Sequence, residues 1–552
     1  MAEGIITMTS QQHEGLPNWF EPRLPSPEEC SLGGRLLERA ARDPNGALAI
    51  FENGAVWTNA EAAQDAKMLA ARLRALGVNR GDVVAVWQPN GPSILRALFA
   101  CSLLGATASM LNIALKGNLL GHALKLTAPK ILFGHGDLIS RLESEDMHGL
   151  RLLMSSEPVQ FSRLDAVVHF EGDIAVAGAD VAPEAAQPWD VPVVVFTSGT
   201  TGASKGVRVT AGQLWTLGGV HYGFMGGDDR ILLMLPLFHI AALGALYGAM
   251  SAGGSISVME SFRPGAFWDV VRRTGATTNV GLNGAWMNMI QKATPAGSAD
   301  REHVFRIALV TSLDPSARAF GERFGCDLFA AYSMSETSGI AISELNTKKD
   351  RSVGRLRKGI EGRLVDEHDV EIEPGRPGEL VIRADAPWVM NDGYHNDAEA
   401  TAKAWRNGWF HTGDIFTQDA DGDLYYVDRN KDVIRRRGEN ISSLELEAEV
   451  RAFAAVRDVA AIGVKNDEAG EEVLVVIEAL DASEFDSVAL IEFLIPRIPH
   501  YMVPRFVRIV ERLPRTATNK VQKIDLRNEG LTPDCWDRET AGLKVRRQKL
   551  ST

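Results

Sequence analysis

The chain has 552 residues, 45% of them hydrophobic and 23% charged, and its 58 Lys and Arg against 71 Asp and Glu leave a net charge of −13. Such a profile belongs to a globular protein of roughly two to four domains, and the acidic balance speaks against a general nucleic-acid partner, since duplex binding calls for a basic face. Cys30, Cys101, Cys326 and Cys535 are far apart with no C-x-x-C spacing, which argues against a zinc site or disulfide framework and fits a reducing, cytoplasmic compartment.

Met1 to Phe20 carries acidic residues, no Lys or Arg, and no apolar run long enough for a signal peptide. The pattern predicts a helix over 34–42, a strand pair within 47–57 and a helix over 59–76. A strand over 82–87, a helix over 93–104 and a strand at 131–133 follow. This alternation predicts an α/β fold with layered, mostly parallel sheets covered by helices. Ile94 to Leu115 and Ile231 to Gly253 are apolar, but Arg96, Asn112, Pro236 and His239 interrupt them, so buried core and no membrane span is expected. Residues 152–188 read as an irregular exposed connection.

Val191 to Phe196 is a β-branched and aromatic run that reads as a buried strand. It leads into Thr197-Ser198-Gly199-Thr200-Thr201-Gly202-Ala203-Ser204-Lys205-Gly206. Glycines let backbone N–H groups approach a ligand, hydroxyls donate hydrogen bonds, and Lys205 supplies positive charge, so the stretch suits phosphate oxygens. A Walker loop needs G-x-x-x-x-G-K-[ST]. Here Ser204 precedes the lysine and Gly206 follows it, so that rival fails.

Further on, strands are expected at 232–238, 255–259, 277–281, 305–311 and 329–332, with helices over 239–250, 268–273 and 285–292. From Val353 the pattern turns to short strands with charged turns, a small β subdomain. Asp419-Ala420-Asp421-Gly422-Asp423 resembles a calcium loop only at its start. Leu424 and Asn430 stand where an EF-hand has Gly and Glu, so a hairpin turn is the reading. Beyond Arg429 the pattern is α+β, with Ser442 and Glu445 forming a capping box at a helix start.

The loop at 197–206 resembles the phosphate signature of the AMP-forming adenylating enzymes, the superfamily of acyl-CoA synthetases, luciferase and peptide-synthetase adenylation domains. Other stretches match the same family in order. Tyr332-Ser333-Met334-Ser335-Glu336-Thr337 resembles its Y-G-x-T-E motif, with Ser333 in the glycine place. The resemblance implies an aromatic on adenine, a hydroxyl at the α-phosphate, and Glu336 with Thr201 on Mg²⁺. Ser312-Leu313-Asp314 stands at the family's turn along the adenine. Trp409 to Asp414 ends in an aspartate similar to the one that binds both ribose hydroxyls, and Arg429 and the hinge residue Lys431 follow. Pro514 to Lys520 resembles the P-[RK]-T-x-x-G-K loop, with Asn519 in place of glycine. Lys520 would stabilise charge built up as a carboxylate attacks phosphorus.

Arg437-Gly438-Glu439-Asn440 resembles the G-G-E-N loop of small-acid CoA ligases, with Arg437 in place of a glycine. Together with Arg435 and Arg436 it suits a phosphorylated acceptor. The resemblance makes His239 an aromatic gate beside the acyl carboxylate, and Ile240, Gly244, Gly281, Trp286 and Ala331 part of an acyl pocket. It implies a large core over 1–428, with the β subdomain at about 353–428, and a smaller mobile domain over 429–552. The expected function is an ATP-dependent carboxylic acid–CoA ligase most like the crotonobetaine/carnitine branch. ATP, Mg²⁺ and coenzyme A serve it, a small carboxylic acid is its substrate, and a homodimer is compatible. The alternatives are an enzyme with another acceptor, a carrier-protein thiol or oxygen, and a non-catalytic nucleotide-binding homologue.

Overall fold

The computed structural model describes residues 15–176, 178, 181–197, 204–373, 375–429, 433–437, 439–466, 470–515 and 521–545. Five sheets organise these residues. A seven-stranded sheet runs Val167–Phe170, Leu152–Ser155, Ile131–Gly134, Val83–Trp87, Thr107–Met110, Val193–Thr197, Lys205–Val209. Its pairs are parallel except the last, which is an antiparallel hairpin. A five-stranded sheet orders Thr278–Asn279, Arg230–Leu233, Ser255–Val258, Ala47–Phe51 and Val56–Thr58, again parallel up to one antiparallel edge. Both are α/β layers, as the alternating pattern requires.

One difference from the sequence pattern lies at 152–188. Leu152–Ser155 and Val167–Phe170 extend the parallel sheet, although their four-residue length and the polar chain between them give no periodic signal. Likewise the strand-like run 232–238 is a strand only over Arg230–Leu233. Pro236 lacks the N–H a ladder needs, and the chain turns before the helix Ile240–Ala252.

Side chains of both sheets and of the helices Asn59–Ala75, Pro92–Leu104, Ala211–Tyr222 and Ile240–Ala252 form one buried cluster. The last two helices approach backbone to backbone. A Cβ on Gly218 would lie 2.7 Å from the amide nitrogen of Gly248, so only glycine fits. Among the described residues no helix is long and apolar enough to cross a membrane.

A four-stranded sheet carries Ile307–Val310 and Asp327–Tyr332 in parallel. The antiparallel sheet over 360–429 follows, with Trp409–Gln418 at its centre. Its hairpin turn at Asp419, Asp421 and Asp423 closes on the Lys349 ammonium, 2.8–2.9 Å from a carboxylate oxygen of each. A lysine thus stands where a cation would.

The last sheet orders Glu439–Ser442, Val433–Arg436, Gly470–Ala479, Phe506–Val510 and Trp536–Asp537, with Val456–Asn466 beside the third. Its core recruits Leu119 from the helix Gly117–Thr127 and Leu115 from the segment before it. Gly117 has φ +51°, and a Cβ there would stand 3.2 Å from the Arg497 carbonyl oxygen. Backbone of the two halves meets at that point.

Candidate active site

A cavity of about 950 Å³ opens between this last sheet and the rest of the chain. The hairpin Val193–Thr197/Lys205–Val209 reaches it with Thr197 and Lys205 as cross-strand partners. A strand follows Lys205, whereas a Walker loop opens a helix. Ser198, Gly199, Thr200, Thr201, Gly202, Lys431, Gly438 and Lys520 lie outside the described residues.

The Tyr332–Thr337 segment forms one wall, and it is held from several sides. Thr337 Oγ1 accepts from the Met334 amide at 3.1 Å. The buried Gln213 amide donates to the Ser335 and Thr337 carbonyls at 2.9 and 3.0 Å. Arg357 donates to Ser338 Oγ and the Gly339 carbonyl at 3.0 and 2.5 Å. Its burial pulls its pKa down to about 9.

Glu336 is 7% exposed and lines the cavity. Its Oε1 accepts from the Tyr394 hydroxyl at 2.9 Å, and Lys205 Nζ lies 4.8 Å above the Tyr394 ring. Burial, then the Glu336 charge, raises the Tyr394 pKa, so the phenol stays a donor. Tyr394 therefore ties the lysine of the phosphate loop to the carboxylate. Nothing in its local sequence marks it, because the partner is 58 residues away.

Asp414 is fully buried, and the Tyr332 hydroxyl donates to its Oδ2 at 2.6 Å. The Tyr332 ring meets Phe416 edge-on at 4.9 Å. Across the ladder, Asp414 pairs with Arg429, so backbone register joins two residues that the family motifs name separately.

Ser312, Asp314, Ser333, Met334 and Ser335 line the cavity, as do His239, Ile240, Gly281, Trp286 and Ala331. Four expected site residues do not: Thr337 and Asp414, both buried, and Gly244 and Leu313. Gly244 faces the Leu217 side chain at the helix crossing, where a Cβ would be 2.5 Å away. Leu313 is fully buried in the core behind the turn, because Asp314 caps the helix Pro315–Phe324 through the Ala317 amide and turns Leu313 inward. Trp286 stacks on Phe262 at 4.0 Å and 9°. His221, on the helix Ala211–Tyr222, also lines the cavity and was not singled out by any motif. Burial, with Arg357 nearby, pushes its pKa down to about 4.

From the opposite side come Arg435, Arg437, Glu439, Ser442 and Glu445. His239 Nε2 lies 3.5 Å from Glu439 Oε2, and the Asn112 amide donates to the Tyr501 hydroxyl at 3.2 Å. The three arginines divide. Arg435 and Arg437 are exposed, whereas Arg436 is buried and paired with Glu472 at 2.7 Å. An alternating strand must turn the middle residue to the other face, so Arg436 is structural and not part of an anion-binding triplet.

The expected capping box is half formed. Ser442 Oγ accepts from the Glu445 amide at 3.3 Å, but the Glu445 carboxylate goes elsewhere and accepts from the Ser204 amide at 2.6 Å.

Residues 36–395 match the AMP-binding enzyme family and residues 445–520 the AMP-binding enzyme C-terminal domain. The chain is 33% identical over 508 residues to a feruloyl-CoA synthase of Amycolatopsis sp, spanning 90% of this chain and 98% of that protein. It is 31% identical over 471 residues to an indoleacetate–CoA ligase of Aromatoleum aromaticum, spanning 83% and 90%. In fold it resembles a double mutant of the o-succinylbenzoate CoA synthetase of Bacillus subtilis bound with a product analogue. That likeness has a TM-score of 0.77 at 24% identity and covers 90% of this chain and 98% of that one. The same synthetase with its acyl-adenylate intermediate gives 0.61 at 24% identity, covering 90% and 97%. The motifs in order, the cavity they share and these matches together place the chain in the AMP-binding enzyme family.

Proposed function

We propose that the protein is an AMP-forming carboxylic acid–CoA ligase acting in the cytoplasm on an aromatic acid. The observation that carries this is the meeting in one cavity of Lys205, Glu336 and Tyr332, with Asp414 bonded behind it, and of Arg435, Arg437 and Glu439. One side suits a nucleotide, the other a phosphorylated thiol. Trp286, Phe238 and Met334 give the acyl region flat apolar walls, and both relatives described above are named for acids that carry an aromatic ring. The free cysteines, three of them buried, suit a reducing compartment.

In the first half-reaction a carboxylate oxygen attacks the α-phosphorus of ATP, the bond to the bridging oxygen breaks, and pyrophosphate leaves with the electron pair. Asp414 would accept from the ribose hydroxyls, and Lys205 and the hydroxyls near it would hold the phosphates. Lys520 would stabilise the charge that develops at phosphorus. Glu336 fits a magnesium ion: it lines the cavity, and Tyr394 is bonded to its Oε1 alone among the described hydrogen bonds. Magnesium bound there with the phosphates would neutralise charge on the leaving group. In the second half-reaction the thiol sulfur attacks the acyl carbon, AMP leaves with the electron pair, and the thiol proton passes to solvent or buffer. Walls on both sides would limit the access of water to the adenylate.

A panel of aromatic, short-chain and long-chain acids, assayed for AMP release with ATP and magnesium, tests this reading. AMP formation that needs both an aromatic acid and free CoA is expected. AMP formation indifferent to CoA would overturn the choice of acceptor.

A further inference from the structure

The proposal starts from a residue that obeys the wrong rule. Three positions after a serine N-cap, a glutamate side chain ordinarily folds back to the cap amide. Glu445 instead crosses to the other half of the molecule and accepts from the Ser204 amide, 241 residues away, at 2.6 Å. The Ser204 peptide is fixed from its other end, because the His122 ring nitrogen is 2.7 Å from the Ser204 carbonyl oxygen. Ser204 immediately precedes Lys205 at the close of the phosphate loop, and Ser204, Lys205 and Glu445 all line the cavity. Burial raises the Glu445 pKa, and the Ser204 amide offsets part of that.

Backbone amides in such a loop are the donors that receive phosphate oxygens. A carboxylate oxygen on one of them, beside the loop lysine, stands in for a phosphate oxygen. A carboxylate and a polyphosphate cannot share the place without a like-charge cost in a poorly solvated cavity. Resting on the ligase reading above, we infer that Glu445 is a positioning residue for the second half-reaction. It docks the last sheet by taking over a phosphate-loop amide once pyrophosphate has left, and so keeps Arg435, Arg437 and Glu439 in the cavity for the incoming thiol.

Two further observations fit that role. Arg515 and Val521, which flank the Lys520 loop and bridge to each other, are not among the cavity's lining residues, whereas the 433–442 hairpin is. The fold also lies nearer the Bacillus subtilis synthetase with a product analogue than the same enzyme with its acyl-adenylate, 0.77 against 0.61. Glu445 is thus bonded in an arrangement that presents the acceptor face.

Glu445→Ala and Glu445→Gln test the assignment in the full-length protein, with each half-reaction measured separately. Carboxylate-dependent exchange of pyrophosphate into ATP reports the first, and conversion of supplied acyl-adenylate by CoA reports the second. For Glu445→Ala we expect exchange within about twofold of the unaltered protein and thiolation down about tenfold to a hundredfold, the range of one charge-assisted hydrogen bond. Glu445→Gln keeps an acceptor oxygen without the charge and should recover part of that loss, with a melting temperature close to the unaltered protein's. Equal losses in both half-reactions, or normal thiolation in Glu445→Ala, would overturn the inference while leaving the ligase intact. Absence of exchange in the unaltered protein would instead overturn the ligase reading, and the role of Glu445 with it.

Discussion

The nucleotide wall and the acceptor face of the cavity are built by different means. The wall at Tyr332 to Ser338 is tied by hydrogen bonds donated by Gln213, Arg357 and Tyr394 and by one that Asp414 accepts from Tyr332. The acceptor face is a half-buried hairpin with the chain beside it, and among the described residues its polar contacts to the other half stand singly: Glu439 with His239 at 3.5 Å, Arg435 over the Tyr426 ring at 5.3 Å, Tyr501 with Asn112, Glu449 with Asn118, and Glu445 with Ser204. Buried networks hold one geometry, while sparse polar contacts can be exchanged. The difference suits the proposed two-step ligase, in which a fixed nucleotide site would be served in turn by two surfaces of one moving part.

The largest effect is expected at Lys520, which the proposed mechanism assigns to that moving part. Lys520→Ala should lower carboxylate-dependent pyrophosphate release about a hundred- to a thousandfold, the scale of one group that stabilises a transition-state charge. Thiolation of supplied acyl-adenylate should persist, and its loss would merge the two surfaces that the comparison separates. Asp414→Asn, in the fixed wall, should raise the KM for ATP about tenfold to a hundredfold through loss of a charged acceptor. The KM for CoA should not move.

The fixed wall was also the more legible part in the sequence. Its residues fall in contiguous motifs, so a linear reading finds Glu336, Asp414 and Lys205 without a fold. Tyr394 escaped because its bond to Glu336 exists only once distant loops are packed. Glu445 was found but misread, since a local capping rule explains a serine and a glutamate three residues apart, and tertiary contact overrode it. Arg436 shows the same limit: three consecutive arginines read as one patch until strand alternation divides them. The short strands at 152–155 and 167–170 carried no period to detect.

On the acceptor side, Arg437→Ala should raise the KM for CoA several-fold and leave pyrophosphate release unchanged. The effect should shrink at high salt, as suits an exposed cation. An equal change in the KM for ATP would contradict its placement on the acceptor face.

The last effect is on stability and concerns a residue that lines the cavity. His221 is 5% exposed, and burial, then Arg357, lowers its pKa to about 4 from the ordinary 6.5. The folded state resists protonation that the unfolded chain accepts, so this contribution is complete above about pH 6.5 and fades as the pH falls towards 4. At about 1.4 kcal/mol per unit it amounts to roughly 3 kcal/mol. The melting temperature of the unaltered protein should fall more steeply over that interval than that of His221→Gln, and parallel curves would remove His221 from the account.

The most direct test of the whole account is a single turnover followed by mass spectrometry. Protein in excess of an aromatic acid is mixed with ATP and magnesium, and CoA is added after a delay. The account predicts an acyl-adenylate with one equivalent of pyrophosphate before CoA, converted to acyl-CoA and AMP after it. Acyl-CoA that appears with ADP and phosphate, or an adenylate that CoA leaves untouched, would contradict it.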